Sequence, residues 1–264
     1  MPLLYTLILS AVIMLAILMF VLWAIARKID NYALVDVGWS YSFALVAVLF
    51  LVLSGEYGPR HLLTAGLVCL WSLRLGTHLF VNRIKGKEEE GRYKNLRAKW
   101  KTDLPKKFLI FYMAQAVSVV FLATPFILVF TSPNSAIGSF EIAAIVVGII
   151  SISGESIADH QLQTFLKNPN NKGKVCKVGL WRYSRHPNYF FESLIWLAFA
   201  LLALASPYGW LGFISPMIIW YLITNVTGIP PTEEQSLRSK GDAYRAYQSE
   251  TSAFFPMPPR SAPS

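Results

Sequence analysis

Residues 179–196, Gly-Leu-Trp-Arg-Tyr-Ser-Arg-His-Pro-Asn-Tyr-Phe-Phe-Glu-Ser-Leu-Ile-Trp, set a dense group of donors, acceptors and aromatic rings against an apolar run. Arg182, Arg185, His186, Asn188 and Tyr189 together suit an anionic, planar ligand, because guanidinium forks pair with anions and flat rings stack. Glu192 follows one turn into the apolar segment. The plainer reading is interfacial anchoring, since Arg, Tyr and Trp commonly sit at headgroup level.

Other ionisable residues interrupt apolar runs, where a charge is costly and marks a functional position or a buried pair. Arg74 and His78 are four apart with Trp71 three before Arg74, which puts all three near one helical face. Glu155, Asp159 and Gln163 recur every fourth residue and share a face. Asp36 and Trp39 open another run, with Tyr41 on an adjoining face. Arg74 with Glu155 or Asp159 is alternatively an ion pair that only fixes packing. Arg92, Lys94 and Arg97 beside Tyr93 offer a phosphate and stacking patch, or simply a solvated loop.

Several chemistries lack their signatures. The chain has no Gly-x-Gly, so neither the dinucleotide fingerprint nor the P-loop is present, and a nucleotide must be held by side chains. Its four histidines, at 61, 78, 160 and 186, are scattered, with no His-Glu-x-x-His, and no metal is expected. His61 and His160 read as interfacial residues. No Gly-x-Ser-x-Gly elbow occurs, and Ser184 has no evident base.

The elements that carry these residues are membrane helices. Of 264 residues, 54% are hydrophobic and only 15% charged, more apolar surface than one soluble core hides. Apolar runs at 3–25, 33–54, 60–82, 107–130, 138–160, 189–206 and 209–226 predict an all-α, polytopic bundle of seven transmembrane helices in a single membrane domain. The first run has no small-residue cleavage site and precedes Arg27-Lys28, so it reads as a retained helix. Residues 257–264 read as a disordered tail.

Lys and Arg accumulate on cytoplasmic loops. Segments 26–34, 83–107, 164–188 and the tail after 226 hold two, ten, six and four of them, which is 22 of the 24, leaving Arg60 and Arg74. With seven spans those segments share one side, which puts the N-terminus outside and the C-terminus in the cytosol. The net charge of +9 is therefore an orientation signal, and no soluble surface long enough for nucleic acid remains. Cys69 lies inside a span and Cys176 in a loop, an arrangement that does not suggest a disulfide.

The pattern of Asp159 with Gln161-Leu-Gln-x-Phe-Leu-Lys167, then Gly179 through Glu192, Gly228-Ile-Pro-Pro-x-Glu233, Tyr244-x-x-Tyr247 and Phe255-Pro256 resembles the membrane steroid 5-alpha-reductase superfamily, in particular its bacterial branch. The resemblance spans about residues 30–256. Isoprenylcysteine-type methyltransferases carry a similar Arg-His-Pro-x-Tyr, and Asp159, Asn188 and Glu192 are what favour the reductases.

The resemblance implies a seven-helix bundle whose cytosolic loops close over NADPH, with a lipid-like enone or steroid entering from the bilayer of a bacterial inner membrane. It implies cofactor-binding positions at Asp159, Asn188 and Glu192, phosphate contacts among Arg74, Arg92 and the basic residues of 182–186, and supporting positions at His78, Tyr93, Glu155, Gln163, Tyr183, Tyr189, Glu233 and Tyr244. The steroid enzymes' Val-Ser-Gly-Ala-Asn is Ser-Arg-His-Pro-Asn here, and their catalytic Glu and Tyr lack plain counterparts. Asp36 is the candidate for the first. Trp71 falls where the Tyr would align, which leaves Tyr41 as a possible proton donor.

Enone reduction delivers hydride to the β-carbon while charge gathers on the carbonyl oxygen, so a donor must stand there. A carboxyl kept protonated by desolvation, or a phenol, meets that need. The rival readings are an S-adenosylmethionine-dependent membrane methyltransferase and a non-enzymatic lipid-binding or transport protein. Transport predicts polar residues continuing through the outer half, where the loops 131–141 and 206–209 carry only Glu141 as a charge.

Overall fold

The computed structural model describes residues 2–260, so residues 261–264 of the expected tail lie outside the described residues. Every regular element among the described residues is helical. In hydrocarbon each backbone N–H and C=O must be paired inside its own segment, which a helix achieves. The chain divides into two compact units, residues 1–141 with 201–215, and residues 142–200 with 216–264.

In the first unit, α1 (Pro2–Lys28), α2 (Leu34–Ser54) and α3 (Pro59–Leu79, prolonged by a π turn over Phe80–Ile84) are followed by the short α4 (Gly91–Trp100), then α5 (Leu104–Leu122) and α6 (Thr124–Phe130). Helix α1 buries a single stripe, Leu7, Ala11, Leu15 and Met19, at four-residue spacing. Much of the rest of its surface is apolar and exposed, including Tyr5, Leu9, Ile13, Ile17 and Phe20, as suits lipid. Gly38 of α2 lets Leu22 lie on its backbone, where a Cβ would stand 2.2 Å from Cδ1.

The expected span 107–130 is two helices. Pro125 has no N–H to continue α5, and the Thr124 hydroxyl donates to the Phe121 carbonyl at 2.6 Å near the break.

Arg60 is the unexpected member of this unit. Fully buried, it donates Nε to Glu141 Oε1 at 2.8 Å, Nη1 to the Asn134 carbonyl at 3.2 Å, and Nη2 to the Leu202 carbonyl at 2.6 Å and Ser206 Oγ at 2.7 Å. His61, expected at the interface, is also fully buried, with Nε2 3.2 Å from the Ser132 carbonyl.

In the second unit, α7 (Ser139–Lys167, with its first turn in the other unit) packs against α8 (Pro187–Ala203). The Phe191 ring lies on Gly154, where a Cβ would meet it at 2.3 Å, and the Ser151 hydroxyl donates to the Phe191 carbonyl at 2.6 Å. Helix α9 (Ile214–Tyr221) runs into a π turn, Leu222–Val226. After a break at 227–228 come the polar α10 (Ile229–Lys240) and α11 (Asp242–Glu250).

Among the described residues six helical stretches are long and apolar enough to cross a membrane, beginning at Pro2, Leu34, Pro59, Leu104, Ser139 and Gly209, the last of them entering α9 through a 3-10 turn over Gly209–Phe213. The expected seventh, α8, has 17 residues, about 25 Å at 1.5 Å per residue against roughly 30 Å of hydrocarbon. Residues 257–260, expected to be disordered, are tied down: Met257 N–H donates to the Tyr183 carbonyl at 2.9 Å and Arg260 N–H to the Glu250 carbonyl at 2.8 Å.

Removing one partner of a buried ion pair strands the other. Arg60→Met should therefore lower the stability of the detergent-solubilised protein by about 3–5 kcal/mol. The R60M/E141M double variant should recover much of that loss, as followed by equilibrium unfolding.

Candidate functional site

In the first unit the site is built on α4, whose Tyr93, Leu96, Arg97 and Trp100 point inward at helical spacing while Lys94, Asn95, Ala98 and Lys99 are exposed. Arg97 fixes this helix. Its Nε donates to Glu89 Oε2 at 2.6 Å, its Nη2 to Asp30 Oδ1 at 2.7 Å, and its guanidinium lies 4.8 Å from the Tyr32 ring centre. Glu89 also accepts the Tyr32 N–H at 2.7 Å, which joins the loop to the start of α2.

Tyr93 is thereby driven into the protein, where its hydroxyl donates to Asp36 Oδ1 at 2.7 Å. Burial pushes this phenol well above its ordinary range and the Asp36 charge adds to the effect, so Tyr93 stays protonated. Arg83 lies 4.0 Å from Asp36 Oδ2 and 3.0 Å from Glu90, and Arg92 is 5.7 Å from the Tyr93 ring centre. The expected carbonyl-side acid thus meets Tyr93 and Arg92 of the expected stacking patch, while Lys94 faces outward to Glu88 and Arg97 is taken up by Glu89 and Asp30. Toward Asp36 the phenol is the hydrogen-bond donor.

Tyr41 and Trp71 stand elsewhere in this unit. The Tyr41 hydroxyl is 3.0 Å from Thr77 Oγ1, and its ring lies on Gly76, where a Cβ would approach within 2.6 Å. Trp71 is fully buried, its ring centre 5.4 Å from that of Phe43. Arg74 and His78 are half-buried one turn apart on α3, and Asn82 Nδ2 stands 3.3 Å from His78 Nδ1.

In the second unit, Glu155 and Asp159 are buried on α7 and Gln163 is half-buried. The segment 179–186 is tied to α7 by Trp181, whose indole donates to the Ala158 carbonyl at 2.9 Å, and by the Leu180 N–H, which donates to Gln161 Oε1 at 2.9 Å.

Arg185 and His186 turn toward Glu233. Arg185 Nε is 2.7 Å and His186 Nε2 3.2 Å from Glu233 Oε1, while Gln248 Nε2 donates to Oε2 at 2.7 Å. Arg185 Nη1 also donates to the Gln248 and Thr251 carbonyls at 3.1 and 2.5 Å. Burial lowers the His186 pKa, outweighing the pull of Glu233, so the ring is neutral at neutral pH and serves Glu233 as an N–H donor. Tyr244, buried nearby, has its phenol pushed up to about 12 by burial and by the Glu233 charge.

Two residues of the expected ligand grip, Arg185 and His186, are therefore spent with Glu233, itself an expected cofactor-binding position, on binding the C-terminal segment to the start of α8. Arg182 and Tyr183 are exposed. Tyr189 stacks on His186 at 5.3 Å and its hydroxyl lies 3.3 Å from Thr232 Oγ1. Glu192 Oε1 accepts the Trp196 indole N–H at 2.9 Å. Asn188, one turn before Glu192, has its Oδ1 buried without a hydrogen-bond partner.

Helices of this length and hydropathy define an integral membrane protein. Residues 22–251 match the family described as protein of unknown function (DUF1295), which includes steroid 5-alpha-reductase-like proteins, and the chain belongs to that family. An uncharacterised protein of Schizosaccharomyces pombe is 27% identical over 270 residues, covering 89% of this chain and 76% of its own. No solved structure matches the chain.

A charge-assisted hydrogen bond contributes about 2 kcal/mol. Glu233→Gln should accordingly speed amide exchange across 242–257 by roughly 30-fold, since each 1.4 kcal/mol is tenfold. His186 is held neutral in the fold, whereas an exposed ring takes up a proton below about pH 6.5. Its contribution is complete above that pH and declines as pH falls below it. Protection of this segment should weaken from pH 7 to 5, and His186→Gln should flatten that dependence.

Proposed function

We propose that the protein is an NADPH-dependent membrane reductase of the carbon–carbon double bond of an enone lipid, with 3-oxo-Δ4 steroids as plausible substrates. The observation that carries the reading is the pair of buried Tyr93 with half-buried Asp36, a protonated phenol held against a carboxylate at the cytosolic end assigned to α2. Membership of a family that includes steroid 5-alpha-reductase-like proteins supports it.

Asn188 tests whether the residues suit the cofactor. Its buried Oδ1 needs a donor, and the N–H of a nicotinamide carboxamide is one. Glu192, a turn away, and the buried Glu155 and Asp159 offer acceptors to carboxamide and ribose hydroxyls. With Arg185 and His186 turned to Glu233, Arg182 is the basic residue of 182–186 left for a phosphate, and the resemblance adds Arg74 and Arg92 as candidates. His78, Tyr183 and Gln163 are secondary candidates.

When bound, the reduced nicotinamide supplies the hydride that reaches the β-carbon of the enone. The chain's own part is to stabilise charge on the carbonyl oxygen and return a proton. Tyr93 O–H, which the fold donates to Asp36 Oδ1, is that donor when it turns from Asp36 to the carbonyl oxygen, and Asp36 takes the hydrogen bond back afterwards. Tyr41 of α2 is the alternative phenol. The same proposal takes α8 as a short seventh span, the cytosolic loops as the cover of the cofactor, the N-terminus as external and a bacterial cell membrane as the location.

Purified protein with NADPH and a panel of enone lipids should consume nicotinamide absorbance and yield the saturated ketone. Asn188→Ala should raise the KM for NADPH about tenfold or more. Tyr93→Phe and Asp36→Asn should retain NADPH binding yet lower kcat roughly 100-fold. Tight binding of S-adenosylmethionine with none of NADPH would replace the reductase by a methyltransferase, and binding of neither with lipid transfer intact would make the protein a carrier.

A further inference from the structure

The segment joining α3 to α5, residues 83–107, carries ten basic and four acidic side chains, and the fold treats its two basic residue types differently. Its arginines are half-buried and engaged. Arg83 pairs with Glu90 at 3.0 Å, Arg97 with Glu89 and Asp30 at 2.6 and 2.7 Å, and Arg92 lies over Tyr93 at 5.7 Å. Its lysines mostly face outward. Lys85, Lys87, Lys99, Lys101 and Lys106 are exposed, and none has a carboxylate partner among the described residues.

This charge stands on a firm base. Trp100 packs edge-on to Phe108 at 4.9 Å, Lys107 Nζ donates to the Trp100 carbonyl at 3.0 Å, and Tyr93 and Arg97 fix the inner face of α4. Both ends of the segment run directly into helices long and apolar enough to cross the bilayer, Pro59–Ile84 and Leu104–Leu122. The lysines are thus tethered to headgroup depth on both sides, well within reach of a field that decays over about 8 Å at physiological salt.

We infer that this lysine face binds the headgroups of anionic phospholipids and holds a patch of them against the α3–α5 connection. The side-chain chemistry matches a fluid, negatively charged layer. Lysine is a hydrated point charge on a flexible stem that needs no fixed partner geometry, whereas a specific carboxylate site calls for the arginine fork. The carboxylates of the segment do not cancel the face: Glu89 and Glu90 are committed to arginines and Glu88 pairs with Lys94 at 2.6 Å, which leaves the exposed Asp103 as one negative charge against the five lysines.

The test uses the full-length protein in mixed-lipid vesicles, with spin-labelled phosphatidylglycerol and phosphatidylcholine as probes of the protein-bound lipid fraction. The parent should favour phosphatidylglycerol several-fold at about 0.1 M salt and lose that preference at about 1 M, where screening reaches roughly 3 Å. Joint Lys→Gln exchange at 85, 87, 99, 101 and 106 should bring the preference close to one. Joint Lys→Arg exchange should retain it, which separates charge from folding, and circular dichroism should be the same for all three proteins. A parent without preference, or a Gln variant that keeps it, overturns the inference. So does a Gln variant that keeps its lipid preference while losing NADPH binding, because the lysines would then serve a nucleotide.

Discussion

Hydrocarbon offers no hydrogen bonds, so each polar group carried into it must find its partner in the chain, and much of this structure follows from that constraint. The commonest solution is local. Ser40, Ser42, Thr64, Ser156 and Ser193 each donate to the carbonyl four residues earlier, which lets a hydroxyl sit on an apolar helix without a distant partner. Against that background the buried Oδ1 of Asn188 is conspicuous, because a carboxamide acceptor left bare is a cost unless something arrives to fill it.

The charged groups use a second solution three times over. Arg60, Arg97 and Arg185 each grip one or two carboxylates and at least one main-chain carbonyl from a different stretch of sequence. The planar fork does this where lysine cannot, since its five N–H groups reach several acceptors at once. Arg60 joins α3 to the loop before α7 and the end of α8, Arg97 joins α4 to the α1–α2 turn, and Arg185 joins the start of α8 to the C-terminal helices. Short irregular segments are thereby held as firmly as helices, and two of them carry the residues given chemical roles.

The apolar runs and the helical class were legible because span length and hydropathy are local properties of the chain. The break at Pro125 was equally local, but continuous hydropathy through 107–130 hid it. Arg60 with Glu141 escaped notice because the partners are 81 residues apart and lie toward the uncharged ends of their helices. Arg185 and His186 have the composition of a ligand grip, and only the fold reveals that Glu233 uses them. Tyr93 looked like a stacking ring beside basic residues. Its bond to Asp36 depends on Arg97 turning α4 inward, a geometry that no spacing rule supplies.

Gly154 and Gly76 show what sets the tolerances of such a molecule. At each, an aromatic ring, Phe191 or Tyr41, rests directly on helix backbone, leaving no room for even a methyl group. These contacts act as gauge blocks: the spacing between α7 and α8, and between α2 and α3, is fixed by the thickness of a ring. A single added carbon at either point would be a wedge driven between helices, and its effect would reach Asn188 and Glu192, or Asp36, without touching them.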